Sequence, residues 1–216
     1  MISLKSCSLY LKNHKNILKD ISLEISNFEK VSIYGDNGSG KSTLLKMIGK
    51  KIYPTTGTLI NNQKLSFLSY GDNFQANLTG RENIYFSLLL SGRTKAYIDN
   101  YISSIERTID IGNFFDTPIY RYSRGMKQRI KFVTAMHINC DLLLVDEALK
   151  GGVDRNFKKI ADAMLDEYLK SKTLILISHD INDILKFTNK YIFLKDGKIE
   201  YISHDQEKVK NYFLNA

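Results

Sequence analysis

Residues 35–43, GDNGSGKST, constrain this chain more than any other stretch, because the pattern G-x-x-x-x-G-K-[ST] has a structural use that its flanks can confirm. KVSIY before it reads as a short buried strand, and LLKMIG after it sets Leu44, Leu45 and Ile48 on one side of a helix. Strand, glycine-rich loop and helix are therefore contiguous, as a phosphate cradle requires. Gly35, Gly38 and Gly40 open backbone conformations closed to residues with a Cβ. The N–H groups of the loop, across Asp36, Asn37, Ser39, Lys41, Ser42 and Thr43, can then converge on phosphate oxygens at the positive end of the helix. Lys41 is expected to bridge the β- and γ-phosphates, and the Ser42 hydroxyl to coordinate Mg²⁺. The implied ligand is a nucleoside triphosphate with Mg²⁺.

The rest of the chain supplies a sheet around that loop. ISLKSCSLYL and ILKDISLEIS read as antiparallel strands on either side of a polar turn at Lys12 to Asn16. Leu65 to Tyr70 forms another strand-like run. From Arg81 to Phe115 the pattern is helical, with Ile98, Ile102, Ile105 and Ile109 recurring every three to four residues. Further on come a helix from about Arg124 to Ile138, the strand LLLV, a helix from about Asn156 to Leu169, the strand TLILI and a short helix near Ile181 to Phe187. YIFLKDGKIEYI reads as a hairpin turning at Asp196-Gly197, and QEKVKNYF as a terminal helix. Alternating strands and helices imply an α/β fold with a mainly parallel core sheet.

Composition narrows the setting. With 216 residues and 43% apolar residues the chain can bury a core of its own, and we expect a single domain over 1–216. No stretch approaches the roughly 18–20 uncharged apolar residues that span a bilayer, so a membrane role needs another chain to cross it. Cys7 and Cys140 lie beside apolar runs and the N-terminus resembles no signal peptide, which points to a reduced, cytoplasmic setting. The net charge of +8 is spread along the chain rather than gathered in a block, so a solvated face is expected in place of a nucleic-acid footprint.

Two later motifs complete a constellation. CDLLLVDE runs an apolar strand into Asp146 and Glu147, at the sheet edge where open α/β folds bind ligands. Asp146 is expected to hold the Mg²⁺ shell and Glu147 to act as general base on the attacking water. YSRGMKQR opens a helix with Ser123 as N-cap and Gly125 allowing close approach of an anion, so the chain has a second anion-binding helix start. One ATP needs only one cradle.

This order of motifs, with LISHD after the second buried strand, resembles the ATP-binding cassette (ABC) ATPases over essentially the whole chain. The resemblance implies a P-loop NTPase fold with an N-terminal antiparallel β-subdomain and a helical subdomain inserted at about 81–138. It implies a homodimer in which Ser123, Gly125 and Met126 of one copy cap the γ-phosphate held by the other. His179 matches the family's switch histidine, and Asp154 the aspartate at the dimer interface, although it falls one residue later than usual after Asp146. Gln75 matches the glutamine that touches the Mg²⁺ and water shell and links the helical subdomain to the catalytic core. The aromatic that stacks on adenine falls to Tyr10, with His14 as the alternative, since Leu11 occupies the usual place. Arg124 stands where the commoner signature has a glycine, and Met126 where it has a glutamine.

Within the family, NFQANLTGREN and YSRGMKQR resemble the glutamine-loop and signature segments of ATPases that serve bacterial polysaccharide exporters. With the sequence ending soon after the hairpin, no carbohydrate-binding domain of the kind some O-antigen exporters carry is expected. The expectation is an ATPase at the cytoplasmic face of the membrane, driving export of a capsule-type polysaccharide. The glycan would contact a separate transmembrane permease, with no nucleic acid involved. Lipid or drug export, or a regulatory role without transport, are the alternatives.

Overall fold

The structure, a computed structural model, describes residues 1–10, 16–69, 74–147 and 155–215. In chain order the strands are β1 (Ile2–Tyr10), β2 (Asn16–Ile25), β3 (Lys30–Tyr34), β4 (Thr56–Asn61), β5 (Leu65–Ser69), β6 (Leu142–Asp146), β7 (Thr173–Ile177), β8 (Lys190–Lys195) and β9 (Lys198–Ser203). The helices are α1 (Lys41–Ile48), α2 (Gly80–Leu90), α3 (Lys95–Ile109), α4 (Arg124–His137), α5 (Arg155–Leu169), α6 (Ile181–Phe187) and α7 (Gln206–Asn215). Two compact units emerge. The first is 1–67, 141–147 and 171–216, and the second 68–140 and 148–170.

The first unit holds two sheets. β1 lies between β2 and β4, antiparallel to both, and the larger sheet runs β5-β6-β7-β3-β8-β9. β6, β7, β3 and β8 are parallel, and β9 returns antiparallel to β8. The period of two along a strand divides the residues between two cores. Val31 and Ile33 of β3 and Ile192 and Leu194 of β8 join Leu44, Leu45, Met47 and Ile48 of α1 and the inner residues of the small sheet. Tyr34 and Tyr191 belong instead to a second cluster with Ile184 of α6 and Val209 of α7. α1 is thus buried against both sheets, each of its four apolar side chains contributing about 1.5–3 kcal/mol by leaving water.

The sequence pattern does not show β4; TGTLIN is short and mostly exposed, and its identity as a strand comes from its pairing with β1. The helical run expected over Arg81 to Phe115 is broken at Ser91–Thr94, where Gly92 takes φ +86° and Thr94 caps α3 through Tyr97 N. A 3₁₀ turn at Gly112–Asp116 follows α3. The isoleucines singled out by their spacing, Ile98, Ile102, Ile105 and Ile109, are the buried face of α3. The expected insertion ends near residue 138, whereas the second unit also takes in α5.

Candidate functional site

In the first unit the loop after β3 has the geometry its glycines anticipated. A Cβ on Gly35, at φ +144°, would collide with the carbonyl oxygen of Leu194, so the loop leaves β3 by a path only glycine can take. The Lys41 side chain is buried, and its Nζ donates to the carbonyls of Gly35 (2.7 Å) and Asp36 (2.9 Å). Burial lowers the pKa of its ammonium, opposed by the charges of Glu147, Asp36 and Asp146. Lys41 therefore rests on its own loop within the field of three carboxylates.

β6 then delivers its carboxylates to the same place. Ser42 Oγ donates to Asp146 Oδ1 at 3.2 Å, and Glu147 Oε1 lies 2.9 Å from His179 Nε2. Glu147 takes φ +55°, uncommon for a residue with a side chain, and its N–H is fixed to the Ile177 carbonyl at the end of β7. Lys41, Ser42, Asp146, Glu147 and His179, drawn from residues 41 to 179, therefore meet at one edge of one sheet. A hydroxyl and a carboxylate in contact are hard oxygen donors of the kind Mg²⁺ takes, and Ser39 Oγ in the cradle is buried with no partner among the described residues. These residues fit a Mg²⁺-nucleotide.

Burial raises the Asp146 carboxyl above its ordinary pKa; the Ser42 hydroxyl, Lys46 and Lys41 oppose this, and Glu147 adds to it. The folded state therefore binds this proton more tightly than the unfolded chain does. The contribution to stability is present at low pH and lost as pH rises through the raised folded value. Above that value the ionised carboxylate is a net cost in nucleotide-free protein. Asp146→Asn is expected to melt higher than the parent at pH 7 in chelator, and to lose the further stabilisation by Mg²⁺ and ATP. A lower melting temperature in chelator would refute the burial argument.

A cavity of about 660 Å³ opens beside the loop, lined by Lys41, Ser42, Thr43 and Glu147 and also by Asn16, Ile17, Lys19, Asp196 and Gly197. The sequence reading missed these last five as site residues. Asp196-Gly197 was legible as a turn, and both residues have positive φ. Its second task was not: Gly197 N donates to the Ser39 carbonyl (3.0 Å) and its carbonyl accepts from Lys19 N (2.8 Å), buttressing the cradle from the far end of the sequence. Tyr10, expected against adenine, is 43% exposed at the end of β1 and is not among the cavity's lining residues. His14 and Asp154 lie outside the described residues.

The second unit carries Gln75, Ser123, Gly125 and Met126. The Ser123 side chain accepts from Met126 N at 3.2 Å, making it the N-cap that its position implied. Gln75 is exposed, but its backbone is held by Asn83, which is fully buried. Asn83 Oδ1 accepts from Gln75 N (2.7 Å), and Asn83 Nδ2 lies within reach of the carbonyls of Gln75 (3.0 Å), Leu78 (3.1 Å) and Thr79 (2.9 Å).

The segment LTGREN thus has a physical account. Thr79 and Glu82 form a capping box at the start of α2. A Cβ on Gly80 would strike the Tyr122 hydroxyl and crowd Ile130 and the Phe115 carbonyl. Arg81 pairs with Asp116 (2.7 Å) and Glu106 (3.1 Å), holding the Asp116 carboxyl below its ordinary pKa. Tyr122, the residue before Ser123, packs over Gly80 and donates to the Phe115 carbonyl at 3.2 Å. The two motifs that looked separate in the sequence are one packed assembly around the start of α2.

Comparison with known proteins agrees with this geometry. Residues 18–150 match the family model described as ABC transporter. The chain is 37% identical over 196 residues to the teichoic acids export ATP-binding protein TagH of Shouchella clausii, covering 90% of this chain and 54% of that one. It is 33% identical to the O-antigen export system ATP-binding protein RfbB of Myxococcus xanthus, over 90% of this chain and 45% of the other. The chain thus spans about half the length of the curated relatives it matches. Among solved structures, the dimeric MJ0796, a bacterial ABC transporter cassette, superposes with a TM-score of 0.79 at 26% identity over 94% of this chain and 98% of that one. An ATP-binding subunit of an ABC transporter superposes at 0.86 with 20% identity, over 99% of this chain and 94% of that one, a likeness of fold.

Proposed function

This chain belongs to the ABC transporter family, and from that membership we propose that it is the ATP-hydrolysing subunit of an exporter that moves a cell-surface glycopolymer, capsule-type in character, across the cytoplasmic membrane. The observation that carries the reading is the meeting of Lys41, the Ser42–Asp146 pair and the Glu147–His179 pair at one sheet edge. The printed names of the relatives, which refer to export of teichoic acids and of O-antigen, support the choice of cargo.

On this reading ATP lies in the cavity beside the loop, its phosphates against the loop N–H groups and Lys41, which turns from the Gly35 and Asp36 carbonyls to the phosphate oxygens. Ser42 and Asp146, with Gln75, would hold Mg²⁺, which when bound offsets charge on the β- and γ-phosphates. Glu147 accepts the proton of the attacking water, and His179 fixes the carboxylate from 2.9 Å. The working form is a two-fold homodimer, with Ser123, Gly125 and Met126 of one copy completing the phosphate site of the other. Asp154 belongs to the same dimer interface. ATP binding favours the closed pair and hydrolysis the open one; Gln75, at the head of the helical unit, passes that shift to a separate membrane permease. None of the described helices is long and apolar enough to cross a membrane; on this reading the subunit docks from the cytoplasmic face against its permease. The glycopolymer contacts the permease, and no nucleic acid takes part.

Deleting the gene is expected to strip the glycopolymer from the cell surface and leave it accumulating in the cytoplasm. Phosphate-rich and phosphate-free surface polymers are measured separately, which distinguishes a teichoic acid from a capsular polysaccharide. Normal display of both would overturn the cargo assignment, and absence of Mg²⁺-dependent ATPase activity in the subunit with its permease would overturn the enzymatic one.

A further inference from the structure

The C-terminal helix α7 reaches the phosphate loop directly: Tyr212 Oη donates to Asp36 Oδ1 at 2.8 Å. The Tyr212 ring is set by Tyr34 (5.2 Å between centroids), Phe193 (5.1 Å) and Phe213 (5.3 Å). Tyr34 is the last residue of β3, immediately before the loop, and is 1% exposed, with its hydroxyl 2.8 Å from that of Tyr201. One aromatic cluster therefore fixes both the point where the loop leaves the sheet and the hydroxyl that grips its second residue. A space of about 350 Å³ bordered by Tyr212 is also lined by Asp36, Lys41 and His179, so α7 adjoins the catalytic groups.

Asp36 is an awkward residue for a phosphate cradle. Its carbonyl accepts from Lys41 Nζ at 2.9 Å, and its carboxylate lies close enough to raise the pKa of that ammonium. A carboxylate free to turn toward Lys41 competes with phosphate for the same cation and repels the incoming triphosphate. We propose that Tyr212 is a positioning residue of the nucleotide site, its hydroxyl holding the Asp36 carboxylate against α7 and out of the cradle so that Lys41 is left for the phosphates. This rests on the reading of the loop as an ATP site.

Tyr212→Phe keeps the ring in the cluster and removes only the hydroxyl. Titrated with a fluorescent ATP analogue in Mg²⁺, the full-length variant is expected to bind roughly 3–10-fold more weakly than the parent, with its melting temperature unchanged. In an Asp36→Asn background there is no carboxylate to hold, and adding Tyr212→Phe is expected to change affinity no further. In ATPase assays the Tyr212→Phe defect falls on KM, with kcat close to the parent value. Equal affinity of parent and Tyr212→Phe overturns the inference, as does an equal loss in both backgrounds, which would mean that α7 acts only as packing. A parent that binds no ATP analogue overturns the ATP-site reading as well, so the two failures are distinguishable.

Discussion

Glu147→Gln is expected to cut the ATPase rate by about 10²–10⁴-fold while leaving nucleotide binding near the parent value. Glutamine keeps the size of the side chain and an oxygen for the 2.9 Å approach of His179. It also keeps the demands of the backbone, which holds this residue at φ +55° through the bond from its N–H to Ile177. What it loses is the basic carboxylate proposed to take the proton from water. Lys41, Ser42 and Asp146 are untouched, so ATP still binds, and slow hydrolysis lets the ATP-bound form accumulate. Size exclusion in Mg²⁺ and ATP is expected to show a dimer for this variant and a mixture for the parent. An unchanged rate would falsify the role of Glu147 as base; a lost rate together with lost binding would mark it as structural.

The largest loss of stability is expected from Asn83→Ala. Asn83 is fully buried and ties four backbone groups of the Gln75 segment, three through its amide nitrogen and one through its oxygen. Alanine leaves the Gln75 N–H without its acceptor and takes one bond from each of the three carbonyls, which keep the N–H groups of Leu78, Ile119 and residue 83 itself, at a cost of up to about 3 kcal/mol. For a chain of this size that lowers the melting temperature by roughly 6–12 °C. Gln75→Ala provides the contrast: its side chain is exposed, so stability should move by no more than about 0.5 kcal/mol, while permease-stimulated ATPase activity falls. If Gln75→Ala melts as low as Asn83→Ala, the glutamine serves the fold of the loop. If Asn83→Ala melts like the parent, the hydrogen-bond account of LTGREN is wrong.

Much of the fold was legible because short-range rules govern it. The apolar runs ending at Asp146 and Ile177 became adjacent parallel strands, and the spacing of Ile98, Ile102, Ile105 and Ile109 became the buried face of α3. Asp196-Gly197 turned the hairpin, and Ser123 capped its helix. The pattern failed where pairing or packing overrides propensity, as in β4, which is mostly exposed and exists by its register with β1.

By itself the sequence determined the phosphate loop, the two carboxylates at a strand end and the class of fold, because each depends on residue types at fixed local spacing. Resemblance, not chemistry, attached LTGREN and YSRGM to exporters. Only the tertiary structure decided why those residues occur: Tyr122 lies over Gly80, Arg81 spans Asp116 and Glu106, and Asn83 ties the Gln75 loop. It alone brought Gly197 to Ser39 and Tyr212 to Asp36, across separations of more than 150 residues. Such contacts leave no local periodicity. A sheet that places distant strands side by side sets them, and no window along the chain contains both partners.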